Sequence, residues 1–267
     1  MSAEPIKLAL IGASGRMGTA IVRLATESPD FKIVGAVVAP DSPDVGRDVG
    51  EIAGVGTVGV ETTGDLHSGL LGADVAIDFS TAALAGDVFL HCERQGVAVV
   101  SGTTNLDARS EAALTRAAQK IPVLWAPNMS RGVQVLVEIL EHALRRLGPE
   151  FDVEIVEVHH RKKIDAPSGT AVRLAKAAQV VRPELREVRG RDGQIGARTT
   201  DEVGVFGVRG GDVIGDHTIH ILGDSERLEL THRASNRDLF ARGALSAARF
   251  LANKPAGRYS IADVLGA

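Results

Sequence analysis

Ionisable side chains crowd into one short segment of this chain. Two histidines, one arginine and two lysines occupy the five positions from His159 to Lys163, although the whole chain has a formal net charge of −4. A histidine titrates near neutral pH and can act as a general acid, and clustered cations favour an acidic ligand. The segment therefore predicts a site that binds a small anion and supplies it with a proton.

The residues that follow predict the start of a helix. Pro167 and Ser168, a favoured N-cap residue, lead into a helix predicted over 170–178. A helix that begins at Gly169-Thr170, beside a cationic strand end, offers backbone N–H groups to a carboxylate or phosphate. From the residues alone, a solvent-exposed basic loop is the alternative, because most charge runs are of that kind.

The histidines and the cysteine do not predict a metal site. His159 and His160 are adjacent, so they point to opposite faces of a strand, as do His217 and His220. Neither a cysteine nor a glutamate stands at zinc-finger or H-E-x-x-H spacing. Cys92 lies on the apolar stripe of a predicted helix, so we expect it to be a packing residue.

A second chemical signal is the glycine-rich segment Gly12–Gly18, which follows the first apolar run. Glycines at a strand-to-helix turn allow the backbone to approach a pyrophosphate, which the helix N-terminus then attracts. Ala13 stands where the first glycine of the G-x-G-x-x-G dinucleotide fingerprint would fall, and an ordinary turn is the alternative. No Gly-Lys-Ser/Thr follows, so a nucleotide triphosphate P-loop is excluded.

Two further segments follow buried strands, namely Ser101–Thr104 and Ala126–Met129. Ligands of open α/β sheets bind at the carboxyl ends of the strands, so both segments are expected to border the same crevice as the glycine-rich segment. Each segment taken alone could also be a turn with polar caps.

The elements that position these residues can be predicted from hydrophobic patterns. Short runs rich in Val and Ile, typical of parallel strands buried on both faces, occur at 6–11, 31–38, 75–78, 97–101 and 123–126. Helical patterns lie between them. This alternation predicts an α/β fold with an N-terminal doubly wound, Rossmann-type parallel sheet.

The pattern changes after Asn128. A strongly amphipathic helix ends at Gly148-Pro149, and strands are predicted at 153–159, 202–208, 217–222 and 227–232. Strands that follow one another without helices predict a second, α+β domain with a mixed sheet. A closing helix is marked by Phe240–Leu251, and the polar segments 40–50 and 183–201 are predicted to be loops.

Length and composition limit the possible functions. The 267 residues fit one large domain or two modest ones, and the small negative charge gives no field for nucleic acid or an anionic membrane. The single cysteine excludes an intramolecular disulfide and fits a reducing compartment. No apolar run reaches the roughly 18 residues of a membrane span, and the N-terminus lacks a signal-peptide pattern. We therefore expect a soluble, cytoplasmic protein.

These motifs together resemble the dihydrodipicolinate reductases of the bacterial lysine and diaminopimelate pathway, over essentially the whole chain. The most specific match is the block from Glu157 to Thr170. The resemblance also includes the glycine-rich segment and the following stretches: Asp78–Ser80, Gly102–Thr104, Asn128–Ser130, Gly210–His217 and Glu226–Ala234.

The resemblance implies domains, a reaction and an assembly. Residues 1–129 and 240–267 would form the dinucleotide-binding domain, and residues 130–239 the domain that binds substrate and assembles a homotetramer. The reaction would be reduction of a cyclic, unsaturated imine dicarboxylate, 4-hydroxy-tetrahydrodipicolinate or dihydrodipicolinate, to tetrahydrodipicolinate by NADPH or NADH.

The resemblance also implies roles for individual residues. His159 and Lys163 would be the proton donors, and His160, Gly169 and Thr170 would hold the substrate carboxylates. No metal is implied. The cofactor would be bound by three groups of residues: Gly12, Ala13, Ser14, Gly15, Arg16 and Met17; Gly102, Thr103 and Thr104; and Ala126, Pro127, Asn128 and Met129.

Two other functions compete with this one. They are a different Rossmann-type dehydrogenase, and a non-catalytic module that senses nucleotide. The cluster from His159 to Lys163 argues against the sensor, because sensing needs no acid beside the cofactor. A site that favours NADH carries an acidic residue at the end of the second strand, but this position is Ala39. Weak discrimination between NADPH and NADH is therefore expected, with Arg16 and Arg47 as the partners that a 2′-phosphate could have.

Overall fold

The short apolar runs of the first half form parallel strands. In the computed structural model, which describes residues 4–266, they are β1 (Ile6–Ile11), β2 (Phe31–Val37), β3 (Val75–Asp78), β4 (Ala98–Ser101) and β5 (Pro122–Trp125). A further strand, β11 (Gly257–Tyr259), pairs in parallel with β5. The order β11-β5-β4-β3-β1-β2 reverses between β1 and β3, as in a doubly wound sheet.

Both faces of this sheet are buried. Leu8, Leu10 and Ile77 belong to one apolar core, and Ala9 and Ala76, their chain neighbours, belong to another on the opposite face. Successive strand residues point to opposite faces, so a strand buried on both sides is apolar throughout. The covering helices are α1 (Arg16–Thr26), α2 (Val49–Ala53), α3 (Leu66–Gly69), α4 (Ala82–Gln95), α5 (Ala108–Ala117), α8 (Asp238–Leu251) and α9 (Ile261–Leu265).

The second half contains a mixed sheet. Its strands are β6 (Asp152–His159), β7 (Arg186–Val188), β8 (Glu202–Arg209), β9 (Asp216–Leu222) and β10 (Arg227–Arg233), in the order β10-β9-β6-β8-β7. Strands β6, β7 and β8 are parallel, whereas β9 is antiparallel to β6 and β10. The helices α6 (Arg131–Leu147) and α7 (Gly169–Val181) share an apolar core with this sheet. The predicted fold class is confirmed.

Within the described residues the chain divides into two units. One continues to Met129 and resumes at Arg237, and the other spans Ser130–Asn236. Helix α8 belongs to the first unit, where it contacts α1 and strands β3 to β5. The resemblance places this boundary three residues later, at Leu239.

Two loop predictions need correction. The segment 183–201 contains β7, and the segment 40–50 reaches the first two residues of α2. Strand β7 has only three residues, Arg-Glu-Val, and is held by its pairing with β8. Three residues are too few for an alternating pattern that would predict a strand. Helix α2 depends on a cap, because the Asp48 carboxylate accepts from the backbone N–H groups of Gly50 and Glu51.

Candidate active site

The carboxyl ends of four neighbouring strands bring the predicted cofactor residues together. Backbone hydrogen bonds connect them in turn, from Phe79 N to Ile11 O at 3.0 Å, from Gly102 N to Asp78 O at 2.8 Å, and from Ala126 N to Ser101 O at 3.0 Å. These bonds place the glycine-rich segment and the segments after β3, β4 and β5 along one edge of the first unit's sheet.

Gly12 is required by the geometry of the turn. Its φ of +78° is a conformation that favours glycine, and a Cβ built there would lie 2.6 Å from the carbonyl oxygen of Phe79. The amide nitrogens of Gly12 and Ala13 both donate to Val37 O, at 2.9 and 3.0 Å. Gly15, which has no side chain, is the N-cap of α1, so the first N–H groups of that helix are left for a ligand.

Asp78 organises the other strand ends. Its carboxylate is fully buried and accepts hydrogen bonds from the Ser80 hydroxyl at 2.6 Å, the Ser101 hydroxyl at 2.7 Å and the Thr103 hydroxyl at 2.9 Å. The Thr103 carbonyl in turn accepts from the Trp125 indole N–H at 2.8 Å. The buried acid thus connects the residues after β3 with those after β4.

A cavity of about 290 Å³ opens at this edge of the first unit. Six of the predicted cofactor residues line it, together with three residues that the sequence analysis did not assign to the cofactor: Arg16, Met17, Gly102, Pro127, Asn128 and Met129, with Phe79, Arg237 and Phe240. The combination of a glycine turn, a helix N-terminus, cations and apolar walls fits a dinucleotide, whose phosphates and rings need both kinds of contact.

The second unit contains the basic segment. On β6 the side chains of Val153, Ile155, Glu157 and His159 are buried, while the residues between them are partly exposed. Glu157 and His159 therefore lie on the same buried face of β6 as the aliphatic residues that precede them. His217 on β9 lies opposite Glu157 in register.

The imidazole of His159 is held firmly. Its Nδ1 lies 2.5 Å from Oε2 of Glu157, and its ring makes an edge contact with His217, with ring centroids 5.3 Å apart. Burial lowers the pKa of His159, and the cations Lys163 and Arg209 lower it further, against the opposing effect of Glu157. Without a ligand, His159 is therefore neutral at neutral pH.

The N-terminus of α7 is bonded to the same group of side chains, Glu157 and His217. The Ser168 hydroxyl accepts from the backbone N–H of Ala171 at 3.2 Å, as predicted for an N-cap. The same hydroxyl lies 3.0 Å from Nε2 of His217, and the Ser168 backbone N–H donates to Glu157 at 3.0 Å. Gly169 and Thr170, in the first turn of α7, are thus fixed close to His159.

The loop between β6 and α7 holds the remaining predicted residues. The Lys163 ammonium forms an ion pair of 2.8 Å with Asp165. The backbone N–H of His160 donates to Val213 O at 2.7 Å, and its Nδ1 is buried without a hydrogen-bond partner among residues 4–266. The second unit therefore brings all five predicted acid and carboxylate-binding residues into one region.

Sequence reasoning missed the groups that support these residues. Glu157 was quoted only as part of the motif, and Arg209 was not singled out, although it donates to both carboxylate oxygens of Glu157 at 2.7 and 2.8 Å. A charged residue on the otherwise apolar face of β6 is the signal that could have revealed Glu157. Arg209 lies 52 residues away and carries no such local signal.

Together, a Rossmann-type sheet with a cavity at the carboxyl ends of its strands and a second unit with a buried histidine beside cations define a nucleotide-dependent oxidoreductase. Models of the dihydrodipicolinate reductase N-terminus and C-terminus match residues 6–129 and 132–265. The chain therefore belongs to the dihydrodipicolinate reductase family. This finding confirms the resemblance, the oxidoreductase class, the NAD(P)H cofactor of the family and its place in lysine and diaminopimelate biosynthesis.

Individual relatives agree with this assignment. The chain is 46% identical over 264 residues to 4-hydroxy-tetrahydrodipicolinate reductase from Anaeromyxobacter sp., with 98% of each chain covered. It is 42% identical over 269 residues to the enzyme of that name from Acinetobacter baumannii, covering 100% of this chain and 98% of the relative. A dipicolinate-bound dihydrodipicolinate reductase from Paenisporosarcina sp. TG-14 shares the fold, with a TM-score of 0.77, 23% identity and coverage of 96% and 97%.

Proposed function

We propose that this chain reduces 4-hydroxy-tetrahydrodipicolinate, or dihydrodipicolinate, to tetrahydrodipicolinate with NADPH or NADH. The observation that carries the proposal is the buried His159, held by Glu157 next to the N-terminus of α7 and to Lys163. An acid, a cationic group and a carboxylate-binding helix end in one region suit a dianionic substrate that must accept a proton during reduction.

The first unit would bind the cofactor. The backbone of Gly12–Met17 and the N-terminus of α1 suit the pyrophosphate, and the segments Gly102–Thr104 and Ala126–Met129 border the cavity at the ends of β4 and β5. Phe79 and Phe240 supply apolar walls. NAD(P)H bound there supplies the hydride.

The second unit would hold the substrate and complete the reduction. Hydride addition to a conjugated imine leaves negative charge on the ring, and His159 would neutralise it with a proton. Lys163 supplies positive charge and is the second proposed proton donor. His160 and the N–H groups at Gly169-Thr170 would bind the carboxylates, since the two groups combine a ring nitrogen with a helix N-terminus.

A dianion would also change the protonation of His159. The pKa of this histidine is lowered mainly by burial and then by two cations, so a bound dianion opposes the effect of the cations and favours the imidazolium. We infer that substrate binding is accompanied by proton uptake, which loads the acid at the time it is needed.

The assembly and location of the protein are part of this proposal. We expect a homotetramer formed through the second unit, where Val208 and Leu228 are more than 40% exposed. Light scattering should then give four times the mass of one chain. We expect the protein in the cytoplasm, without nucleic acid or membrane as partner, because its cofactor is intracellular and its net charge is slightly negative. Among residues 4–266, no helix is both long and apolar enough to cross a membrane.

The decisive experiment generates the unstable substrate in a coupled reaction and follows the nicotinamide absorbance. Consumption of NADPH or NADH that depends on the substrate is the expected result. If the protein binds nucleotide but does not consume it in the presence of this substrate, the assigned reaction is wrong, and a dehydrogenase of another substrate or a nucleotide sensor takes its place.

A further inference from the structure

Glu157 is a fully buried carboxylate on the inward face of β6, where alternate residues of the strand belong to the core. The preceding inward residues, Val153 and Ile155, are aliphatic and have no exposed surface. Burying an unpaired carboxylate is costly, so the position is tolerable only if other groups satisfy its charge and its oxygens. The identity of those groups shows what the residue does.

Four hydrogen bonds converge on the carboxylate. Oε1 accepts from Arg209 at 2.7 Å and from the Ser168 backbone N–H at 3.0 Å. Oε2 accepts from Arg209 at 2.8 Å and lies 2.5 Å from Nδ1 of His159. On β8, the residue in register with Glu157 is Gly207, where a Cβ would lie 2.9 Å from Oε1, so a side chain there would press on the carboxylate.

The same contacts fix the protonation pattern of His159. Although burial opposes it, hydrogen bonds from Arg209 and His159 hold the pKa of Glu157 below its ordinary value. An ionised carboxylate can only accept, so Nδ1 of His159 must carry a hydrogen. The transferable proton then belongs on Nε2, beside Gly215, where a Cβ would lie 2.9 Å from that nitrogen.

We propose that Glu157 is a positioning residue, which fixes the Nδ1–H tautomer and the ring orientation of His159 and connects them, through Ser168, to the N-terminus of α7. Glu157 does not itself touch the substrate. The role of His159 in reduction rests on the proposed function, whereas the tautomer does not.

Arg209 extends the connection to the loop that carries Lys163. Its second terminal nitrogen donates both to Glu157 and to the Asp165 carbonyl, at 2.7 Å each. The Glu157 carboxylate therefore connects three parts of the candidate site. It bonds directly to His159 on β6 and to the N-terminus of α7, and through Arg209 it is connected to the loop between them. A group with contacts of this kind acts on a reaction by positioning, in the way that the aspartate of a hydrolase triad orients its histidine.

The test replaces Glu157 by glutamine, which has the same shape but offers one acceptor oxygen and one donating amide. It cannot accept from Arg209, Ser168 and His159 together. The matched control is Glu154→Gln, three residues away on the same strand and on its other face. Glu154 is also paired with arginines, Arg191 and Arg198, but has no contact with His159.

Two measurements report on the role. In histidine-labelled protein, long-range proton–nitrogen NMR should show the Nδ1–H tautomer of His159 in the parent protein and in Glu154→Gln, and its loss in Glu157→Gln. In the assay, kcat should fall by about tenfold to thousandfold in Glu157→Gln, with unchanged affinity for NADPH, and Glu154→Gln should keep its kcat.

The pH profile gives a third readout. The charged and titratable groups that face His159 are Glu157, Lys163, Arg209 and His217, and only Glu157 favours the imidazolium. Without that charge the falling limb of kcat/KM, which reports loss of the protonated acid, should move to lower pH. The control variant should keep the parent profile.

A second variant guards against a folding failure. Glu157→Asp keeps the charge for Arg209 but withdraws the carboxylate by one methylene, so we expect a kcat and a pH profile between those of the parent and Glu157→Gln. If Glu157→Gln keeps the Nδ1–H tautomer and the parent pH profile, the positioning role is wrong. If the parent protein fails to reduce the substrate, the proposed function fails, and the tautomer measurement still decides the role of Glu157.

Discussion

The two units each bury one carboxylate completely, and the two acids have different partners. Asp78, at the end of β3, is satisfied by the hydroxyls of Ser80, Ser101 and Thr103 and by the Ser80 backbone N–H, all of them neutral donors. Glu157, near the end of β6, is satisfied by a guanidinium, an imidazole and a backbone N–H. Both acids connect the ends of structural elements, but only the second is bonded to a group that can change its charge.

The difference separates two ways of building a site. In the first unit, neutral side chains fix the backbone, and backbone N–H groups and a helix N-terminus are offered to a ligand that brings its own charge. In the second unit, charged side chains set the protonation of a histidine. We therefore expect backbone changes in the first unit to alter binding and side-chain changes in the second to alter the chemical step.

The largest effect is expected from His159→Gln, which removes the acid from the second unit. We expect kcat to fall about 10²–10⁴-fold, the usual contribution of a general acid, while the affinity for NADPH is unchanged. The control is His220→Gln, which should keep its turnover. His220 lies on β9, on the face of the sheet opposite to that of Glu157 and His159. Turnover by His159→Gln at the level of the control would place the acid elsewhere.

Gly12→Ala tests the first unit. Alanine pays about 1–2 kcal/mol at a positive φ, and its Cβ would press on the Phe79 carbonyl at 2.6 Å. We expect the Kd for NADPH to rise about 10- to 100-fold, with a smaller change of kcat at saturating cofactor. Gly72→Ala is the control, since Gly72 has a φ of +74° and a Cβ there meets none of the described residues within 4 Å.

Fluorescence titration with NADPH and thermal unfolding distinguish the two glycine variants. Both should lose stability from the strain of a positive φ, and Gly12→Ala should lose more because its Cβ also contacts the Phe79 carbonyl. Equal loss of NADPH affinity in the two would show that the contact with Phe79 is not what the cofactor site requires.

The second unit should also be more sensitive to acid because of His217. Burial, and next the charge of His159, lower the pKa of His217 to about 4. The unfolded chain therefore binds the proton first as the pH falls below about 6.5, and stability is lost between that pH and about 4. Between pH 7 and 5 the loss from this residue is about 2 kcal/mol.

The measurement is the free energy of unfolding in urea at several pH values. His217→Gln keeps a nitrogen near the Ser168 hydroxyl but does not titrate, so its stability should fall less between pH 7 and 5 than that of the parent protein. His220→Gln should fall as the parent does. If the free energy of unfolding of His217→Gln falls with pH as steeply as that of the parent protein, other groups cause the acid sensitivity.

The same contrast explains what could be predicted from the sequence. The first unit was foreseeable because its signals are local: apolar runs, the Gly12–Gly18 turn and the polar residues after β4 and β5. His159, Lys163 and the Ser168 N-cap were foreseeable for the same reason, since they share one segment. The short strands β7 and β11 were missed because three residues carry no periodicity and depend on pairing with a distant strand.

The support of the site was less accessible to sequence reasoning. Glu157 meets Arg209 across 52 residues and lies opposite His217 on the neighbouring strand, and only the sheet register brings these residues together. Arg237 and Phe240 reach the cofactor cavity because the chain returns to the first unit at α8. Local patterns identify residues that react, whereas the groups that orient them are specified by topology.

The smallest expected effect concerns the choice between NADPH and NADH. Strand β2 ends at Val37, and the backbone bond from Ser42 N to Ala39 O, 2.9 Å long, closes a turn that contains Asp41. A carboxylate in this turn is poorly placed to replace the acid that NADH-specific sites use to bind the ribose. Of the two candidate cations, Arg47 is already paired with Asp44 at 2.5 Å, whereas Arg16 lines the cavity.

We therefore expect the parent protein to use both cofactors with little discrimination. Arg16→Ala should lower kcat/KM for NADPH by about three- to tenfold, the value of one charge-assisted contact near water, and should leave NADH nearly unchanged. Arg47→Ala is the matched control, and its effect should be smaller because Asp44 already neutralises that guanidinium. A parent preference for NADH above about tenfold, or ~1.4 kcal/mol, would show instead that a carboxylate such as Asp41 reaches the ribose and that the first unit, too, selects its ligand by side-chain charge.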